Sequence, residues 1–144
     1  MTRDDPNHVA HADPAATPRR GGEDLFGLLL SVLLFGYFGF FTSWAHERAL
    51  DGTLLPMVVL LKWTLRAATI GFALAAVLVL ARRRESDLVA GVVGLLSAIA
   101  FAIVAVWDFS NPQYSAGPPE ILLAVFALWN GYVSLISLRG FLRG

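Results

Sequence analysis

Four long windows of this chain hold almost no charge, and that restricts its fold more than any other feature. Residues 25–45 are twenty-one positions without Asp, Glu, Lys or Arg. Residues 88–107 are twenty more, and residues 121–138 another eighteen. Residues 54–81 are apolar too, apart from Lys62 and Arg66. A bilayer core of about 30 Å takes roughly 20 helical residues at about 1.5 Å each, so each window matches one crossing. None alternates with the period of two that a barrel strand needs. The chain is 56% hydrophobic and 15% charged, where soluble domains carry about 25% charge. The expected fold class is therefore all-α. It is an integral membrane four-helix bundle with spans of about residues 25–45, 56–81, 88–107 and 120–138.

What flanks the windows sets the topology. Residues 1–24 are rich in charge and Pro, with Val9 as their only large aliphatic, and are expected to form a disordered cytoplasmic tail. The first window is too long for the apolar core of a cleaved signal, and no clean small-x-small site follows it. It is expected to be retained as a helix. Pro56 suits a first helical turn. Pro118, Pro119 and Glu120 read as the start of the last helix, with the acid near the positive end of the dipole. The short connection RRRESD predicts an antiparallel hairpin of the second and third helices. Arginines collect at Arg19 and Arg20, at Arg82, Arg83 and Arg84, and at Arg139 and Arg143. The other two connections hold one basic residue, Arg48. With four spans, the positive-inside rule puts both termini in the cytoplasm, with the bundle in the inner (cytoplasmic) membrane. Ten arginines against one lysine suit a GC-rich bacterial genome.

Several function classes lack the residues they require. Zero net charge argues against a nucleic-acid partner, which needs a basic face. Without cysteine there is no disulfide, thiolate metal site or cysteine nucleophile. His8 and His11 lie three apart, but in a tail without the fixed geometry a metal needs. There is no glycine-rich phosphate loop, zinc-protease helix pair or nucleophile elbow. The expectation is a non-enzyme with no cofactor and no metal. The length and helix count resemble the small multidrug-resistance exporters, which rest on a glutamate within the first helix. This chain has no carboxylate between Asp24 and Glu47, so the resemblance fails at its central residue. No Asp, Glu or His lies within the predicted membrane core, where a proton-coupled transporter places its titratable group.

Two groups of polar residues stand out. Lys62 and Arg66, four apart on one helix face, sit near the outer boundary if Arg82 marks the inner one. Asp108, Glu47 and Asp51 are expected at a similar height, as are Trp44, Trp63 and Trp107. This outer-interface charge cluster reads as snorkelling cations, as ion pairs, or as an anion or lipid-headgroup site. Tyr37, Ser97 and Asn130 fall near midplane by the same counting and form a candidate polar layer, for interhelical hydrogen bonds or for lining a pathway. Small residues recur every four positions at Ala67, Gly71 and Ala75 and at Ala90, Gly94, Ala98 and Ala102. These stripes are expected to face each other in the hairpin or to form a dimer seam. Residues 54–61, beyond Lys62, are apolar and need cover from the interface, from tilt or from another subunit.

The role these features favour is a non-catalytic accessory or assembly subunit working through helix–helix contacts. Its partners would be the lipid bilayer and either copies of itself in a homo-oligomer or a larger membrane complex. The alternatives are a small oligomeric transporter or channel-like protein using the midplane layer, and a lipid-headgroup or anion binder using the outer cluster.

Overall fold

A continuous apolar run satisfies its backbone most simply by coiling on itself, and the described residues do so in four α-helices. The structure, a computed structural model, describes residues 21–41, 55–112 and 120–143. Helix α1 spans Gly21–Gly36 and runs into a π-helical turn at Tyr37–Phe41. Helix α2 is Leu55–Leu80, α3 is Glu85–Ser110 and α4 is Glu120–Arg143. The described fold is thus all-α.

Among the described residues three helices are long and apolar enough to cross a membrane, over Pro56–Leu80, Glu85–Ser110 and Ile121–Arg143. The apolar part of the first, Leu25–Phe41, is shorter, and the remainder of the 25–45 window lies outside the described residues. So does the tail as far as residue 20. Helix α1 opens at Gly21, ahead of the boundary expected at Leu25.

Charges that bounded the windows prove to be helical. Glu85 and Asp87 fill the first turn of α3, where the dipole favours acids. Arg143 lies in the last turn of α4, where it favours cations.

The corner between α2 and α3 is built on an arginine. Arg82 has φ 54°, in the left-handed region. Its N–H donates to the Val79 carbonyl at 2.9 Å, and the Arg83 N–H reaches back to the Leu78 carbonyl at 2.9 Å. This is the Schellman closure, in which the left-handed position is usually glycine. For a residue with a Cβ that conformation costs about 1 kcal/mol, and glycine's greater freedom in the unfolded chain takes back part of the gain. Arg82→Gly is therefore expected to raise stability by about 0.5 kcal/mol. Thermal unfolding in detergent checks this, and a lowered Tm would count against the strain.

The contacts fix an up-down-up-down bundle. A Cβ at Gly36 would lie 3.3 Å from Thr69, and one at Gly39 3.2 Å from Leu65 Cβ, so α1 and α2 run antiparallel at close range. Gly71 meets Val93, which sets the α2–α3 register. Gly94 meets Asn130 and Ser134, which sets the α3–α4 register. Trp129 Nε1 donates to Ser31 Oγ at 3.2 Å and brings α4 back to α1. The α2–α3 hairpin is antiparallel as its short connection implies. Its small residues do not form one seam, however. Ala67 and Ala102 are exposed, and Gly94 is turned onto α4. Spacing placed each stripe on one face but could not say which neighbour that face would meet.

At the centre, each helix contributes one phenylalanine: Phe35, Phe72, Phe101 and Phe126, none more than 3% exposed. The Phe35 ring centroid lies 6.0 Å from Phe72, 5.6 Å from Phe101 and 5.2 Å from Phe126. Phe101 and Phe126 are 5.6 Å apart. Leu61, Leu65, Val58, Val104 and Leu123 complete this core and are fully buried.

Candidate functional site

The two cations in α2 sit on the side facing α1, and the π turn explains why Arg66 is there. Gly39, with no Cβ, lets the end of α1 press onto the α2 backbone; a Cβ there would lie 3.3 Å from the Arg66 nitrogen. Arg66 then reaches across and donates from Nε to the Gly39 carbonyl at 3.0 Å. Its guanidinium lies 5.3 Å from the Phe40 ring centroid and 5.6 Å from that of Trp63, within the range of cation–π attraction. Arg66 is half-buried, and Phe40 and Trp63 are exposed. The cation is thus fixed by one carbonyl and two ring faces. π turns occur mostly as local departures from α-helix, frequently at functional sites.

The described members of the expected outer cluster, Lys62 and Asp108, take different places in the bundle. Glu47, Asp51 and Trp44 lie outside the described residues. Lys62 is half-buried, one turn from Arg66 on the same helix. Asp108 is fully buried on the core stripe of α3, in line with Ser97, Phe101 and Val104. Its height also differs from the expected one. With Gly71 opposite Val93, Lys62 is nine residues from that level and Asp108 fifteen, so Asp108 stands about 9 Å farther along the bundle, roughly level with Met57. Trp107 shares that shift relative to Trp63. Counting every helix from one boundary ignored the offset that the α2–α3 corner imposes. Asn111 closes this end of α3, its N–H donating to the Asp108 carbonyl at 3.2 Å and its Nδ2 to the Trp107 carbonyl at 2.9 Å.

The three residues of the expected midplane layer are placed differently. Ser97 and Asn130 are buried, and the α3–α4 register (Gly94 on Asn130 and Ser134, Phe101 on Phe126) puts them at the same level. Tyr37 does not join them: it is 60% exposed. It lies two residues from Phe35, about 200° around the helix from the core face, and depth counting carries no information on that angle. Asn130 Nδ2 donates to the Phe126 carbonyl at 2.7 Å, while its Oδ1 is buried with no hydrogen-bond partner among the described residues. Ser134, four residues on, donates to the Gly91 carbonyl at 2.8 Å. Ser31 joins the network from α1 by accepting from Trp129. Ser31 and Ser134 were not expected in it, although the four-residue spacing of Asn130 and Ser134, on one helix face, signals the second of them. Nothing in the sequence signals Gly39 as the acceptor for Arg66.

The opposite end of the bundle is basic. Arg82, Arg83, Arg84, Arg139 and Arg143 are all exposed there. Arg84 Nη2 donates to the Phe141 carbonyl at 2.7 Å, with its guanidinium 5.2 Å from the Phe141 ring centroid. Arg84 thus does to the last turn of α4 what Arg66 does to the end of α1: each donates to a backbone carbonyl of another helix and stacks on a phenylalanine beside it. Among the described residues no three His, Asp or Glu side chains come together to hold a metal. No protein-family model matches the chain, nor does any curated protein or solved structure, so the reading of its function rests on its own residues.

Proposed function

We propose that this chain is a four-span inner-membrane protein with both termini cytoplasmic, and that it serves as a non-catalytic accessory or assembly subunit through helix–helix contacts. The observation that carries this reading is the filled centre. Four phenylalanines, one from each helix, occupy the place where a pathway through a single copy would run. Two polar residues near that level hold helices together, Ser134 across α3 and α4 and Trp129 across α4 and α1. The basic end, with Arg82, Arg83 and Arg84 beside the end of α4, supports a cytoplasmic placement of that end. Large apolar side chains face outward along every helix, among them Leu33, Ile70, Leu96 and Leu128. They suit lipid and partner helices alike.

The test is affinity purification of the full chain in a mild detergent, with size exclusion and mass spectrometry of the eluate. A stoichiometric membrane partner, or a homo-oligomer, co-eluting with the chain is the expected result. A chain that elutes alone as a monomer under several mild detergents would remove the basis for this role.

A further inference from the structure

We infer that Arg66 is a binding site for a phosphate group, carried by a phospholipid headgroup at the end of the bundle away from the arginine corner. The inference rests on α1 and α2 standing in a bilayer. It is independent of the accessory role, since a chain that purifies alone would keep the site.

Arginine at this position is first a matter of cost. A guanidinium inside an apolar span is expensive unless it finds partners. Its Nε–H has one in the Gly39 carbonyl. Neither Nη group donates to a described residue. The carboxylates whose side chains are described, Glu85, Asp87 and Asp108, all belong to α3, whereas Arg66 faces α1. The positive charge therefore stands without an acid on its own side among the described residues.

The way Arg66 is held leaves it suited to an anion. The Gly39 carbonyl fixes Nε, and the rings of Phe40 and Trp63 fix the plane of the guanidinium. What remains is a pair of amino groups in a set orientation. That fork matches two oxygens of a phosphate, and its orientation is settled before the ligand arrives. The surroundings are those a lipid would require. Phe40, Phe41 and Trp63 are exposed and apolar, so acyl chains would lie against rings while the headgroup meets the fork. Arg84 makes a useful contrast. It makes the same pair of contacts, but from an exposed corner where water screens it.

The experiment is native mass spectrometry of the purified full chain titrated with dioleoylphosphatidylglycerol, for the wild type, Arg66→Gln and Arg66→Lys. Glutamine keeps a donor for the Gly39 carbonyl and removes the charge. Lysine keeps the charge and removes the fork. Lipid retention is expected to fall about tenfold for Arg66→Gln and about threefold for Arg66→Lys. Thermal unfolding identifies any variant that fails to fold, and if glutamine fails, the lysine variant decides. Retention equal to wild type in a folded variant overturns the site. A second arm adds inorganic phosphate as competitor. Displacement of the lipid shows that the phosphate group alone is recognised. Arg66-dependent retention that resists displacement assigns the site to the intact lipid. No retention by the wild type overturns both.

Discussion

Gly94→Ala is expected to lower the stability of the bundle by about 1–3 kcal/mol, the usual penalty for overpacking a fitted interface. The reason is that the atom in the way is backbone. A Cβ at residue 94 would lie 2.9 Å from the Asn130 carbonyl oxygen and 3.2 Å from the Ser134 nitrogen. No rotamer change relieves that contact, so α3 and α4 must separate. Separation in turn lengthens the 2.8 Å hydrogen bond from Ser134 to the Gly91 carbonyl. Gly94→Val, with two further carbons on the Cβ, is expected to lose the folded bundle. The internal control is Gly131→Ala on α4. A Cβ there meets nothing within 4 Å, and alanine favours the helix over glycine by about 1 kcal/mol. The same chemical change should therefore lower Tm at residue 94 and raise it at residue 131. Thermal unfolding of both variants in one detergent, followed by circular dichroism, measures the pair. A fall of equal size at both positions would mean that glycine serves chain flexibility in this protein rather than close helix approach.

The four helices were legible because hydrophobic length is a coarse signal that survives local detail. The windows 88–107 and 121–138 lie inside α3 and α4, and of the charges flanking them Glu85, Asp87 and Arg143 fall in end turns whose dipole favours them. Asp108 is the exception. It read as a boundary charge, yet it occupies the core stripe of α3 because it follows Phe101 and Val104 at helical spacing. What the sequence could not give was angle and offset. Tyr37 turns away from the core face of α1, an angle that depth counting does not carry, and the height of Asp108 depended on a corner whose geometry turns on the left-handed Arg82. Arg66 shows the same limit from the other side. Its charge was conspicuous in the sequence, but its partner is a backbone carbonyl in a π turn, and a carbonyl is carried by every residue. Ser97 and Asn130 are both buried at one level of a close, glycine-mediated seam. Charge and polarity mark candidate residues; packing decides which of them meet.

Phe35→Ala is expected to cost about 3–5 kcal/mol, the range for emptying an aromatic core position. Phe35 is the ring that joins the cluster. It is fully buried and touches Phe72, Phe101 and Phe126, each from a different helix. In a bilayer no hydrophobic drive holds helices against one another, so what the substitution removes is dispersion contact on three sides. Phe38→Ala, three residues on, is the comparison. Its ring is half-buried and, among the described aromatic residues, meets Phe126 and Tyr37, and its loss should cost less than half as much. Phe35→Leu should recover part of the stability, since leucine refills some of the volume. The same variant separates two roles for the chain. The space left by Phe35→Ala is lined by apolar rings, and such cavities stay dry. A subunit that works by helix contacts should therefore give no ion or solute flux in proteoliposomes, either as wild type or as Phe35→Ala. Flux appearing only in the alanine variant would show that the ring cluster is a plug in a pathway, and the accessory reading would give way to a gated one.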